Sequence, residues 1–203
     1  MQDIEMAAAA GPGRWSPTLR EIAWELLSYQ RVELLDEQRL TFAPPPDFSQ
    51  MMIISRLMRA VNLAGRGGWE CSSGAVPWEF DDGSGFFAIP DMSIARDGAD
   101  TSAQYQANIV LLCEVTSPLE PGRSFNDRVW KPKWYAAGGV PFYLLVDQVK
   151  SSWTLHERRE GLSEYQIHSS GHYGEAGDPI DLPEPFGFSI PTDEWPPYTD
   201  GEE

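Results

Sequence analysis

The sequence predicts an α/β domain, a mixed central sheet flanked by helices with a β-hairpin extension, and three observations carry that prediction. Two short apolar runs, at 108–116 and 141–147, are separated by a helical stretch of about 125–137, the order expected when strands buried on both faces alternate with a helix. A further run, "FFAIPDMSIAR", supplies a strand at about 87–95. Later, "SSWTLHERREGLSEYQIH" alternates Trp153 and Leu155 with polar residues and turns near Glu160 and Gly161, a hairpin pattern.

The remaining elements follow in chain order. Leu19, Ile22, Ala23, Leu26 and Leu27 recur at the spacing of an amphipathic helix over 17–29. "RVELLDEQRLTFAP" reads as two short strands around a turn at Asp36 to Gln38, stopped by Pro44, Pro45 and Pro46. A second helix is expected from about Phe48 to Leu63, with Met52, Ile53, Leu57 and Ala60 inward, and "LAGRGGWECSSGA" reads as a glycine-rich loop. No internal repeat is present.

Composition bounds the function. A chain of 203 residues with 41% hydrophobic residues suits one buried core, here residues 16–190, with a disordered segment at 1–15 and an acidic tail at 191–203. No apolar run reaches the roughly 18 to 20 residues of a membrane span, and the N-terminus lacks a secretory pattern, so a cytoplasmic location is expected. Cys71 and Cys113 have no metal-ligand spacing, and the three histidines all fall late in the chain. Net charge of -16 opposes loose binding to nucleic acid, but charge is unevenly placed. From Gly171 to Glu203 there are nine Asp or Glu and no Lys or Arg, which predicts an extended acidic segment, whereas Arg123, Arg128, Lys131 and Lys133 form one locally basic stretch.

That basic stretch follows a carboxylate in an unusual place. Glu114 lies near the end of the apolar run "VLLCEV", where an unpaired charge costs several kcal/mol, so it needs a cation, hydrogen bonds or water. Period-two geometry puts Leu112, Glu114 and Thr116 on one face, and Asp91 and Ser93 on one face of the preceding strand. If these strands are neighbours, Asp91 and Glu114 converge, and a hard divalent cation relieves their repulsion. Lys131 and Lys133, on the next element, are candidates to steady the charge that develops during phosphodiester hydrolysis. Arg128 and Tyr135 are the candidate substrate contacts.

Asp91 after Pro90, then "EVTSP", then "DRVWKPKWYAAGGVPFYLLVD", together with the upstream "RVELLDEQRLTFAPPP", resemble the Uma-two family, a bacterial group within the restriction-endonuclease-like, PD-(D/E)xK nuclease superfamily. The resemblance covers about residues 31–190. It implies a restriction-endonuclease-like fold, DNA cleavage with Mg2+ or Mn2+, and Asp91 and Glu114 as metal ligands. The superfamily's lysine usually stands two residues after the acid, where this chain has Thr116; the family resemblance moves it to Lys131, on one helical face with Asp127 and Tyr135. Three positions depart from the pattern: Pro132 interrupts the helix and keeps Lys133 as a rival, Glu37 replaces a turn glycine, and Gln50 stands near a usual histidine.

Plainer roles compete at each position. Asp91 can be a turn residue, Glu114 the partner of a buried cation such as Arg128, and the two lysines a solvated helix face. Trp130, Trp134, Tyr135, Phe142 and Tyr143 read mainly as core or a subunit contact, with base stacking as the sharper option. His156 reads as surface and Asp147 as a strand end. The expected function is metal-dependent endonuclease activity on DNA through the locally basic face, with a homodimer possible; the alternative is a catalytically inactive nuclease fold acting as a protein-interaction module.

Overall fold

The computed structural model describes residues 32–36, 39–42, 46–64, 68–73, 78–79, 87–98, 105–116, 126–159 and 161–197. The helix expected at 17–29, the segment 1–15, Glu37 and residues 198–203 lie outside them. Among the described residues, no helix is long and apolar enough to cross a membrane.

Strands β1 (Val32–Asp36) and β2 (Arg39–Phe42) form the expected antiparallel pair. Helix α1 (Phe48–Ala64) follows; Asp47 caps it, its Oδ1 accepting the Gln50 N–H at 2.7 Å, which satisfies one of the donors a helix start leaves open. Its buried side is Gln50, Ile53, Ile54, Leu57 and Val61, rotated slightly from the expected one because Met52 and Ala60 are only half-buried. The polar Gln50 inside this apolar set faces the end of the sheet, its side-chain amide donating to the Val115 carbonyl.

Strands β3 (Trp69–Ser73), β4 (Trp78–Glu79), β5 (Phe87–Ala88) and β6 (Met92–Arg96) come next. Two expectations are corrected here. The presumed glycine-rich loop contains β3, whose residues find an antiparallel partner in β6 despite the glycines around them. The single strand expected at 87–95 is two strands in different sheets: Pro90, with no N–H to donate, marks the break, and β5 pairs with β1 and β4 while β6 pairs with β3 and β7.

A 3-10 turn (Tyr105–Asn108) leads into β7 (Ile109–Thr116). A π-helical turn (Asn126–Trp130) then passes directly into α2 (Lys131–Ala137). Pro132 therefore sits in the first turn of α2, where its missing N–H is not needed. Gly138 and Gly139 end the helix; Gly139, at φ 85°, takes the left-handed conformation that glycine adopts without strain, and the Val140 N–H returns to the Tyr135 carbonyl at 3.0 Å. The chain then enters β8 (Phe142–Asp147), β9 (Ser152–Arg158) and β10 (Tyr165–His172).

The central sheet has six strands in the order β10-β9-β8-β7-β6-β3. β7 and β8 are parallel, from Leu111 opposite Phe142 to Thr116 opposite Asp147, and the π turn and α2 lie in the crossover such a pair requires. All its other neighbours are antiparallel, so the sheet is mixed. One face carries Met92, Ile94, Leu111, Cys113, Val115, Leu144 and Val146 against α1. The other carries Leu112 and Tyr143 against Tyr135 of α2.

The acidic segment after Gly171 is not an extended tail. It folds into the hairpin β11 (Ile180–Leu182) and β12 (Phe188–Ile190), and Ile180, Leu182, Phe186, Ile190 and Trp195 join the core beneath α1. Alternation explains how an acidic stretch does this: in β11, Asp181 faces water while its two neighbours are buried. Thr192 and Trp195 are buried as well, so the packed structure runs past residue 190.

Candidate active site

Antiparallel pairing of β6 with β7 places Met92 opposite Cys113, which sets Asp91 beside Glu114 at the carboxyl end of β7. Both carboxylates are buried. Asp91 is fixed by two donors on its Oδ2, the Val115 N–H at 2.8 Å and the Gln50 side-chain amide at 3.1 Å. The same Gln50 amide reaches the Val115 carbonyl at 2.9 Å, so α1 is pinned to the end of β7 at the acid itself.

Glu114 points to the other face of the sheet. Its Oε1 accepts the Tyr135 hydroxyl at 2.9 Å and the Lys131 ammonium at 3.0 Å. Lys131 is wholly buried, and its Nζ also lies 3.0 Å from Glu33 Oε1 and 3.0 Å from Asp127 Oδ1. Asp127, Lys131 and Tyr135 share one side of the π turn and α2, as the spacing of four implies. Tyr143 secures that turn from below, its hydroxyl donating to the Asp127 carbonyl at 2.7 Å. Glu33 accepts the Ile89 N–H at 3.0 Å, which ties β1 and the segment leading to Asp91 into the same cluster.

Among the described residues, four buried carboxyl groups, those of Glu33, Asp91, Glu114 and Asp127, accompany one buried ammonium, that of Lys131. Burial pushes the Glu114 carboxyl well above the ordinary carboxylate range; Lys131 opposes that shift, and Asp91, Asp127 and Glu33 add to it. Burial likewise raises the Tyr135 hydroxyl, helped by Glu114 and Glu33, so it stays protonated and a donor.

Oxygen donors dominate the cluster, and Glu114 Oε2 is buried with no hydrogen-bond partner among the described residues. Carboxylate oxygens are the donor type that a hard divalent cation prefers. Among the described residues no three His, Cys, Asp or Glu side chains form a ready ligand group, so water and substrate oxygens would complete the shell, the habit of magnesium.

Lys131 and Lys133 are separated cleanly. Two residues on a helix are about 200° apart, so Lys133 cannot share the face of Lys131; it is exposed, its Nζ 5.4 Å from the centroid of the Trp130 ring. Arg128 does not pair with Glu114: its Nη2 is held by Asp147 Oδ2 at 2.8 Å. Of the basic stretch, Lys131 is buried, Arg128 is exposed but engaged by Asp147, Lys133 is exposed, and Arg123 lies outside the described residues. Tyr135 is fully buried and touches Glu114. Tyr135, Phe142 and Tyr143 are core; Trp130 is exposed and stacked on Trp134 with ring centroids 5.8 Å apart. His156 is not a surface residue: it sits against Tyr143 and Tyr165, and burial lowers its pKa.

Glu33 was missed by sequence reasoning. Its signal was the one that exposed Glu114, a carboxylate inside an apolar strand run, here between Val32 and Leu34.

Comparison with curated proteins finds no match. In structure, the chain is similar to the crystal structure of a "putative nuclease" from Anabaena variabilis, with a TM-score of 0.54 and 13% identity over 78% of this chain and 87% of that one. The likeness establishes a restriction-endonuclease-like fold. The model of the Uma-two family, described as "Putative restriction endonuclease", matches residues 22–193, and the chain belongs to that family.

Proposed function

We propose that this protein is a metal-dependent endonuclease that hydrolyses phosphodiester bonds in DNA. The observation that carries the reading is the buried Glu114–Lys131 pair at 3.0 Å beside Asp91, an acid, acid and lysine set at the end of a parallel strand pair. Magnesium or manganese would be held by Asp91 and Glu114 and, when bound, supplies Lewis acidity and a water of lowered pKa. Gln50 and the Val115 N–H orient Asp91, while Tyr135 orients Glu114. Glu33 and Asp127 hold the Lys131 ammonium at the strand end, where a fixed positive charge stabilises charge developing on a phosphoryl group.

A second reading, a non-catalytic interaction module on the same fold, is favoured by the complete burial of Lys131 and its sharing among three carboxylates. Calorimetric titration with manganese separates the two. The nuclease reading expects binding near one site per chain that is lost in Glu114→Gln, and metal-dependent nicking of supercoiled plasmid that is lost in Asp91→Ala. Absence of manganese binding and of nicking by the wild-type protein favours the module.

A further inference from the structure

We infer that Asp147 and the two cations it gathers, Arg128 and Lys150, form a corner that takes a backbone phosphate of the DNA beside the candidate acids; this rests on the nuclease reading of the carboxylate site. Asp147 ends β8, and the parallel register sets it opposite Thr116, two residues beyond the pair Glu114 and Leu145. Phe142, Leu144 and Val146 pack on the α1 side of the sheet and Leu145 on the α2 side, so alternation gives Asp147 the face that Glu114 also uses. One step across the strands and two along them separate Glu114 from Asp147, a diagonal of about 8 Å between Cα atoms. That is the reach of about two nucleotide steps at roughly 3.4 Å each. The π turn joins the two places: Asp127 lies 3.0 Å from Lys131 inside the cluster, and the next residue, Arg128, goes to Asp147.

The corner is built around one carboxylate. Asp147 Oδ2 accepts from Arg128 Nη2 at 2.8 Å and lies 3.6 Å from Lys150 Nζ, while its Oδ1 accepts the Lys150 N–H at 3.3 Å. Holding the turn between β8 and β9 needs only that last bond; it does not need a guanidinium brought from the π turn. Asp147 itself is buried, whereas the Arg128 and Lys150 side chains remain 32% and 69% exposed. Two accessible cations on one buried carboxylate leave a local positive excess, opposite in sign to the chain's net charge of -16.

Position and geometry select the occupant. The corner lies at the carboxyl end of the parallel strand pair, where α/β sheets commonly present their ligands. A guanidinium held on one edge by a carboxylate is a pre-oriented fork for phosphate oxygens, and the neighbouring ammonium adds a point charge. On this assignment Arg128 and Lys150 contact substrate, and Asp147 is a positioning residue that acts through them.

The test is fluorescence anisotropy with a short labelled DNA duplex in calcium, which reads binding across salt concentrations without magnesium or manganese. Circular dichroism checks the fold of each variant. Arg128→Ala is expected to lose about tenfold in affinity, the worth of a hydrogen bond to a charged group. Its salt slope should become shallower by about 0.9, one phosphate contact. Arg128→Lys, which keeps the charge and loses the fork, should keep the slope and recover part of the affinity. Asp147→Asn separates positioning from bulk charge: it makes the chain less acidic, which alone would tighten binding, yet the loss of a pre-oriented fork should weaken it by about threefold. Arg159→Ala, an exposed arginine at the opposite end of β8 and β9, should match wild type. Unchanged affinity and slope in Arg128→Ala, tighter binding by Asp147→Asn, or no binding by wild type overturns the corner. So does Arg128-dependent binding of inorganic phosphate with no Arg128 dependence for the duplex, which marks a site for the free anion. Manganese titration keeps the two ideas apart. Metal binding that Glu114→Gln abolishes, alongside a duplex affinity indifferent to Arg128, rejects the corner and leaves the carboxylate site standing. An Arg128-dependent affinity without manganese binding does the reverse.

Discussion

Replacing Lys131 with methionine tests the carboxylate cluster most directly. The substitution keeps an unbranched side chain of similar volume and removes the ammonium that lies 3.0 Å from each of three carboxylates. At an effective dielectric constant of about 20, one such pair at 3.0 Å is worth about 5.5 kcal/mol before desolvation. The cluster has a cheaper response than losing that attraction, which is to take up a proton. Protonating one carboxylate of ordinary pKa near 4.3 at pH 7 costs about 3.7 kcal/mol, within the range of about 3–5 kcal/mol for breaking buried pairs. Metal-free Lys131→Met should therefore lose about 4 kcal/mol of stability at pH 7, a fall in Tm of about 8–15 °C for a chain of this size. Its pH dependence is the sharper readout. The native variant carries about one more proton than native wild type, while the unfolded states match. Its stability should therefore fall with rising pH about 1.4 kcal/mol per pH unit more steeply, between about pH 5 and 8. Urea denaturation across that range measures both quantities. Adding Glu33→Gln to Lys131→Met removes one carboxylate with the ammonium, and should recover much of the loss and flatten the slope. A uniform destabilisation at all pH values, with no rescue, would refute the idea that these carboxylates depend on Lys131.

Two more outcomes are expected. Because the Glu114 carboxyl is raised in the folded protein, its contribution to stability is full below the ordinary carboxylate pKa and is lost as pH rises above it; metal-free Glu114→Gln should show a flatter pH profile than wild type from about pH 5 upward, and thermal melts in chelator check this. Trp195→Ala, in the segment that composition alone reads as a tail, should cost about 3–5 kcal/mol by chemical denaturation, whereas a surface tail would show almost no change.

The sheet was legible where strands are long and apolar. Leu111, Cys113 and Val115 face α1 while Leu112 and Glu114 face α2, and a period of two suffices to find that division. Short elements were not legible in the same way. β5 holds two residues and β3 is flanked by glycines, so each owes its strand conformation to a partner distant in sequence rather than to its own pattern. The C-terminal segment misled for a related reason. Composition averages over faces, and a hairpin with Asp181 outward and Ile180 and Leu182 inward looks acidic as a whole while contributing to the core. At the site, helical spacing put Asp127, Lys131 and Tyr135 on one face, but Glu33 and Gln50 arrive from β1 and α1, and no local spacing relates them to that face.

The two carboxylates that interrupt apolar strands, Glu33 and Glu114, end on the same ammonium. This gives the displaced lysine a physical reason. On the proposed nuclease reading, with Thr116 in place of a lysine on β7, the cation comes from another element, and a helix alone fixes it loosely because the side chain has four rotatable bonds. Burial between β1, β7 and the π turn, with a carboxylate from each, removes that freedom. On the same reading, a divalent cation held by Asp91 and Glu114 would also offset the mutual repulsion that helps raise the Glu114 carboxyl. That reading ties the lysine position to metal binding, and it expects a variant that removes one carboxylate of the cluster to gain stability in chelator and to lose it relative to wild type in manganese.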